Sequence, residues 1–492
     1  MSRHHKARRL SVLTACVGAT AVLGAFAGVS PALATPTDNC TTIYGAGSSL
    51  QKIAQGSQDG SVAGVWLNNW NGTYNAGASG CSSKPQVKYN PIGSGAGLDE
   101  FGNNTGTIDK TLDTVANADT TSPCKVSGPA AQQGPGFGCL DAYVGTDDPP
   151  TAGQLGEAQQ AAGALGPVEM TLPVAQAPVA ALLSLPQNCT ITSNTAVNIA
   201  NTYLDALWEA TVPAGGGYSA DTWGAFFTLI GQSFTNTAGT GDCTTPITLQ
   251  VRSDGSGTSY AFKSYLGQIN RNVWAPYASD YDLWPATTDN GGVDPNKGGG
   301  KEALHTASHP GSVGYANAAD AAAAGNGGFT PGATASTAGG STSHQILWAQ
   351  IQNNGTTPGG ANFADPLNGT TVANCNDTQI VPAEKGAAYS ATDSWFGVLA
   401  SDPNVSGDLG GATADYPLCA LTYVLVWKHY QGNNLFGHTT PSGEAGLTAT
   451  TTKDLMSYII GQGQTDIQGN DYTNVPSPLQ GKQRAIVNLI AY

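Results

Sequence analysis

An α/β fold with largely parallel sheets is what this sequence predicts, and three recurring features predict it. Short apolar runs alternate with segments of helical spacing, glycine-rich turns separate them, and hydroxyl residues stand where the helices would begin. In such folds ligands sit beyond the carboxyl ends of the strands. "TTIYGAGSSL" (Thr41–Leu50) reads as a strand, a glycine turn and a helix start. "VKYNPIGSGAGLDEF" (Val87–Phe101) repeats the design with a Gly-Ser-Gly turn. "CLDAYVGTDDPPTAGQL" (Cys139–Leu155) is again a strand, ending in Thr146-Asp147-Asp148 before a proline-started helix.

Further along, "VEMTLPVAQAPVAALLSL" (Val168–Leu185) reads as a strand pair interrupted by prolines, suited to cross between two lobes. "NIANTYLDALWEA" and "DTWGAFFTLIG" have helical spacing, and "PITLQVRSDGSGTSYAFKSYL" returns to strand, turn and helix. "GSVGYANAADA" (Gly311–Ala321) begins as a strand and supplies a return crossing. Residues 322–375 are rich in small and polar residues and read as a loop-like insertion holding one short apolar run, "HQILWAQI". "CALTYVLVWKHY" (Cys419–Tyr430) predicts a buried helix and "TTKDLMSYIIGQG" an amphipathic one.

The chain opens with Arg3, Lys6, Arg8 and Arg9, an apolar stretch from Leu10 to Val29, and "PALA" at Pro31–Ala34. This is the pattern of a secretory signal peptide over residues 1–34. No later segment is apolar enough to be expected to span a membrane, so a secreted or cell-envelope, extracytoplasmic location follows. Formal net charge is −15, and without the four basic residues of the leader it becomes −19. Such a chain disfavours nucleic acid and anionic membranes, and any anion site must be made locally from fixed dipoles. Beyond the leader stand Cys40, Cys81, Cys124, Cys139, Cys189, Cys243, Cys375 and Cys419, an even set expected to form four disulfides in an exported protein. Spacing does not choose the connectivity; pairing of neighbours, which closes short loops, is the expectation. No Cys-x-x-Cys pair points to zinc.

The loops carry the chemistry. In "VRSDGSGTSYAF" (Val251–Phe262) an arginine precedes a run of glycine and hydroxyl residues at a helix start. A helix N-terminus presents unpaired N–H groups and a positive dipole end, and glycine lets the backbone come close to an anion. Arg252 adds a planar fork suited to two oxygens of a tetrahedral oxyanion. One such loop is equally a plain strand-to-helix turn, but four of them converge on an oxyanion. A P-loop requires Lys after its last glycine, where this chain has Thr258. A hydrolase elbow requires a different serine position from that of Gly93-Ser94-Gly95. His305 and His309 are one helical turn apart, but with no third ligand evident they read as a solvated helix end rather than a metal site.

In order, "GAGSS", "PIGSGAG", "VGTDDPPT", "VRSDGSGTSYAF", "KGGGKEALHTASHPGSVGYA", "YPLCALTYVLV" and "DYTNVPSPLQGKQRAIVNLI" cover most of the chain beyond the leader. In this series the chain resembles the phosphate-binding proteins of bacterial phosphate ABC transporters. The resemblance implies a two-lobed periplasmic-binding-protein type II fold, each lobe a mainly parallel sheet flanked by helices. It implies a non-enzymatic, monomeric phosphate binder, without cofactor or metal, that serves an ABC transporter permease. Lobe one would comprise residues 35–172 and 316–492, and lobe two residues 173–315. The family's ligand residues fall on Ser49, Leu50, Ser94, Asp147, Arg252, Ser256, Gly257 and Thr258, with Asp254 bracing Arg252. Asp147 as a helix N-cap before Pro149 stays the alternative for that residue. Ser49-Leu50-Gln51 stands where the family commonly has Thr-Phe-Pro, which implies an altered pocket mouth. Residues 102–138 and 322–375 look like additions to the family core. A secreted phosphate-ester hydrolase, or a surface protein whose binding fold takes another oxyanion, is the rival reading.

Overall fold

The computed structural model describes residues 43–57, 60–75, 84–100, 142–147, 169–252, 254–277, 284–285, 298–357, 360–369, 372–375, 415–430, 442–475 and 477–491. Its strands are β1 (Ile43–Gly47), β2 (Val87–Asn90), β3 (Tyr143–Thr146), β4 (Glu169–Ser184), β5 (Cys189–Thr190), β6 (Val197–Ile199), β7 (Thr235–Asn236) and β8 (Thr248–Leu249). Then come β9 (Ser312–Asn317), β10 (Thr334–Ser336), β11 (His344–Thr357), β12 (Gly360–Ala364), β13 (Leu367–Asn368), β14 (Val372–Ala373) and β15 (Cys419–Trp427). Most join one large sheet flanked by helices, an α/β architecture.

The parallel parts of the sheet are those that carry the glycine loops. β1 lies between β2 and β3, parallel to both, so all three strands end on the same edge. β8 runs parallel to β9 and delivers the chain to Arg252. Each of the four strand–turn segments read from the sequence is followed by a helix wherever the chain is described: Lys52–Gln55 after a short 3-10 turn, Ser94–Glu100, and Gly257–Ile269. The helix expected after Pro149 lies outside the described residues.

The proline-containing segment is one continuous strand rather than two. β4 runs sixteen residues without a break, every one of them buried. Its first part pairs antiparallel with β15 and its last part with β9 and β11. Proline removes a ladder donor, and a strand tolerates it at a bulge. The register shift in the pairing with β15, between Thr422 and Tyr423, lies opposite Pro173, where the bulge absorbs the missing N–H.

β15 corrects a second expectation. "CALTYVLVW" is a strand and not a buried helix, with every residue buried between β3 and β4. A continuous apolar run has no period that separates the two; Thr, Tyr, Val and Trp, which suit a pleated surface, tip it to strand. "HQILWAQI" likewise becomes part of β11, which pairs with β4 and β6, while the small-residue segments before it form turns and 3-10 pieces. The "TTKDLMSYI" segment is helical, within Ser442–Ile459.

Six tryptophans, Trp66, Trp70, Trp208, Trp223, Trp274 and Trp427, are completely buried in the main core. One aromatic group lies beneath the arginine loop. Phe262 stacks on Tyr315 with centroids 4.9 Å apart, Trp208 meets Phe262 edge-on at 4.8 Å, and Trp284 lies 5.5 Å from Tyr315. Such pairs contribute about 0.5–1.5 kcal/mol each beyond the area they bury, and here they stiffen the floor of a loop.

Two disulfides pair as neighbours, as expected: Cys189–Cys243 and Cys375–Cys419. Cys40, Cys81, Cys124 and Cys139 lie outside the described residues. The two bonds close loops spanning sequence separations of 54 and 44 residues. On a chain-entropy argument, loops of that size are worth about 4 kcal/mol each. Replacing either pair by alanine should lower the urea midpoint of the oxidised protein with little change in slope. An unchanged midpoint would show that the bond carries no folding stability.

Candidate functional site

The carboxyl ends of β1, β2 and β3 and the loop after β8 meet at one buried place. Gly47 closes β1 with φ at +119°, and a Cβ there would fall 2.1 Å from the Gly145 carbonyl oxygen, so only glycine fits. The turn carries Ser48, whose N–H donates to Gly145 O at 2.7 Å, and Ser49, which opens the 3-10 turn. Gly93 donates to Gly47 O at 2.8 Å, and Gly95 donates to Gly255 O at 3.1 Å, so the second loop touches both the first and the fourth.

Arg252 is the centre of the site. Its Nε donates to Asp254 Oδ1 at 2.5 Å and its Nη2 to Asp254 Oδ2, a side-on bidentate pair. Nη1 donates to Ser49 Oγ at 3.3 Å. A guanidinium has five N–H groups, so one on each of Nη1 and Nη2 remains for a ligand. The Arg252 amide is itself fixed, donating to Tyr315 Oη at 3.2 Å, and Tyr315 Oη lies 2.6 Å from Ser259 Oγ. The brace expected of Asp254 is present.

The other residues named from the sequence stand around this fork. Ser94 Oγ accepts the Asp147 amide at 3.2 Å and donates to Asp147 Oδ2 at 3.4 Å. Ser256 caps the Gly257–Ile269 helix, accepting from the Ser259 N–H at 3.2 Å. Gly257 packs so tightly that a Cβ would stand 2.6 Å from Asp147 Cβ and 2.8 Å from Ser94 Oγ. Thr258 Oγ1 is buried without a partner among the described residues. Leu50 is fully buried, its carbonyl accepting from Tyr472 Oη, and its amide donates to Ser48 Oγ at 3.0 Å. All eight are brought together, with Asp254 behind them.

Several participants were not found from the sequence. Ser48 Oγ lies 2.7 Å from both oxygens of Asp147, and Thr422 Oγ1 donates to Asp147 Oδ1 at 2.7 Å. Gly298 N–H donates to Asp254 Oδ1 at 3.4 Å, and Gly299 N–H to Ser49 Oγ at 3.3 Å, so the start of the Gly299–Ser308 helix forms a fifth edge. "KGGGKEAL", a glycine run before a helix, was the signal available for that edge. Gln51 does not shape the pocket mouth; it is fully buried and points to Thr422. The His305 and His309 rings lie with centroids 3.9 Å apart, tilted at 45°, His309 bonding the His305 carbonyl, and no group of three metal-binding side chains occurs among the described residues.

The electrostatics are unusual for an anion site. Arg252 is surrounded by the buried acids Asp254, Asp147, Glu302 and Asp320. Burial pushes the Glu302 carboxyl up to about 8 and those of Asp147 and Asp320 up to about 6. Near neutral pH Glu302 is therefore protonated, Asp254 balances Arg252, and hydroxyls and backbone amides supply the remaining positive potential. What this arrangement can do is hold an oxyanion: an end-on guanidinium, hydroxyl and amide donors, and one carboxylate that can only accept.

Because these three acids keep their protons to higher pH when folded, each contribution is full below its unfolded value and is lost as pH rises through the folded one. Stability of the ligand-free protein should therefore fall between the ordinary Glu value of 4.5 and about 8. Glu302→Gln should remove the part of the fall above pH about 6, on the order of a few kcal/mol, read by urea melts at several pH values. A fall of the same size in the variant would place the titration elsewhere.

No family profile matches the sequence, and no curated protein is detectably similar to it. Solved structures are. A high affinity periplasmic phosphate-binding protein bound with phosphate superposes with TM-score 0.51 at 17% identity, over 90% of this chain and 93% of that one. The ancestral soluble variant of the human phosphate binding protein gives 0.51 at 16% identity, with the same coverage of both chains. A human phosphate binding apolipoprotein gives 0.50 at 16%, again over 90% and 93%. At such identities the likeness is one of fold: the chain has the two-lobed α/β architecture of these solved phosphate-binding proteins.

Proposed function

We propose that this protein captures inorganic phosphate between two lobes, as a secreted solute-binding protein for ABC-type uptake, and that it is not an enzyme. The observation that carries the reading is the Arg252 fork, held side-on by Asp254 and left open end-on, beside a buried carboxylate and the unpartnered Thr258 hydroxyl. Ser49, Ser94, Ser256, Gly257 and Thr258 supply hydroxyl and amide donors to the phosphate oxygens, while Leu50, whose amide donates to Ser48 Oγ, holds the first loop in place. Asp147 accepts the proton that phosphate carries near neutral pH and that sulfate lacks. The lobes would be residues 35–172 with 316–492, and residues 173–315, closing over the ligand by a shift of population. Contacts from residues 49 and 95 to residues 252, 255 and 299 support a closed arrangement. The pocket residues are buried, which favours a free anion over a bulky ester. An ABC permease would take the ligand from a monomeric, extracytoplasmic carrier. Disulfides suit that compartment, and no described helix is long and apolar enough to cross a membrane.

Isothermal titration with phosphate, beside a phosphatase assay, separates binding from hydrolysis. Arg252→Ala should weaken phosphate binding by about 2–4 kcal/mol, since a charge-assisted pair in a closed site is lost. Arg252→Lys should recover only part, because an ammonium cannot reproduce a planar fork. Parent-like affinity in Arg252→Ala would move the site elsewhere.

Selectivity should depend on pH with a definite sign. Above about 6 Asp147 is a carboxylate, matched to a protonated oxyanion; below it the carboxyl O–H can donate to a bare sulfate oxygen. Preference for phosphate over sulfate, attainable at about 10⁴-fold, should hold at pH 8 and shrink as pH falls through about 6. Asp147→Asn, whose amide donates as well as accepts, should narrow the preference at pH 8 and remove its pH dependence. A variant that melts earlier yet keeps the parent's ratio would return Asp147 to a capping role.

A further inference from the structure

We infer that a buried, one-way chain of hydrogen bonds, running from Tyr143 through Gln55, Gln51 and Thr422, holds Asp147 as an acceptor and thereby sets how sharply the site separates a protonated oxyanion from an unprotonated one. The inference deepens the proposed phosphate reading and rests on it for its functional half. Tyr143 Oη donates to Gln55 Oε1 at 3.1 Å, and Gln55 Nε2 donates to Gln51 Oε1 at 3.0 Å. Gln51 Nε2 then donates to Thr422 Oγ1 at 2.6 Å, and Thr422 Oγ1 donates to Asp147 Oδ1 at 2.7 Å. Every member is buried, Asp147 being the most exposed at 4%.

The direction of the chain is fixed by one backbone group. Gln51 Nε2 also donates to the Tyr423 carbonyl at 2.6 Å, and a carbonyl can only accept. That contact orients the Gln51 amide, so its oxygen must face Gln55. Gln55 must then turn its nitrogen toward Gln51 and its oxygen toward Tyr143, which is left to donate. On the other side, a Thr422 hydroxyl that receives a hydrogen from Gln51 has its own hydrogen to give. Its possible acceptors are Asp147 Oδ1 at 2.7 Å and the Thr146 carbonyl at 3.3 Å, and the nearer, ionised one is favoured. Gly145 leaves room for this passage, since a Cβ there would stand 2.8 Å from Gln51 Oε1.

Thr422 is a positioning residue: it sits on β15, which contributes nothing to the four loops, and acts through Asp147. The other groups that bear on this carboxyl are the Ser48 and Ser94 hydroxyls, the Arg252 cation, and the neighbouring Asp320 and Tyr472. Ser48 also donates under direction, since it accepts the Leu50 N–H, so Thr422 is one of two fixed donors, one from the turn after β1 and one from β15.

The test titrates the Asp147 carboxyl by carbon NMR in the ligand-free protein and measures phosphate and sulfate binding from pH 5 to 8. Thr422→Val keeps the shape and removes the donor; it should raise the Asp147 midpoint by about one pH unit, carry the selectivity step with it, and weaken phosphate binding. Thr422→Ser should restore both midpoints. Gln51→Leu frees the hydroxyl to turn to the Thr146 carbonyl, and should shift the midpoint in the same direction by less. A Thr422 that only supports the fold would lower the melting temperature and leave the midpoint alone. An unmoved NMR midpoint in Gln51→Leu, or in a folded Thr422→Val, overturns the inference. A midpoint that moves in a protein with no affinity for phosphate leaves the hydrogen-bond chain standing and overturns the phosphate reading instead.

Discussion

A guanidinium taken out of water must be paired, and the pairing of Arg252 with Asp254 organises everything around it. Desolvating the two ions costs several kcal/mol each, so only close geometry and further hydrogen bonds make the pair tolerable. The structure provides both. Asp254 takes the guanidinium from the side and accepts from Gly298, Ser49 accepts from its far end, and Tyr315 holds the backbone of the same residue. Tyr315 is in turn clamped by Phe262 and Trp284. The arginine therefore has no freedom to fold back on itself, and its Nη1 end meets Ser49 just beyond β1.

The second constraint is topological. Parallel strands end together, so three loops separated by long stretches of chain arrive at one edge without any special device. β4 and β15 are the antiparallel members that bind these parallel parts into one sheet. β15 is tied at its first residue by the Cys375–Cys419 bond, three positions before Thr422. A strand so anchored holds its register, and with it the height at which Thr422 meets Asp147.

Local chemistry was the legible part of this protein. Glycine and hydroxyl residues at strand ends are needed by the turns themselves, so "GAGSS", "GSGAG" and "SDGSGTS" named loops, helix starts and most of the residues that meet around Arg252. What eluded the sequence depended on partners far along the chain. Thr422 is one polar residue in an apolar run, where a β-branched hydroxyl reads as strand packing, and its partner lies 275 positions away. Gln51 looked like a change at the pocket mouth, since nothing local shows that its side chain turns inward. The β15 sequence reads equally as a helix because a strand buried on both faces loses its alternation. The prolines of β4 suggest a break that the strand does not contain: a bulge absorbs Pro173, and Pro178 pairs in register with Cys419.

A guanidinium already balanced by Asp254 exerts almost no long-range pull on an anion. Residues 35–492 carry a formal charge of −19, and that field is felt first by anything approaching from solution. Ionic strength therefore acts on arrival and not on residence. For the anion proposed above, added salt would screen the repulsive surface over about 8–10 Å and speed capture, while the buried donors would release it at an unchanged rate. Such a site holds a small anion most readily in brackish surroundings, the reverse of a basic groove, which salt empties.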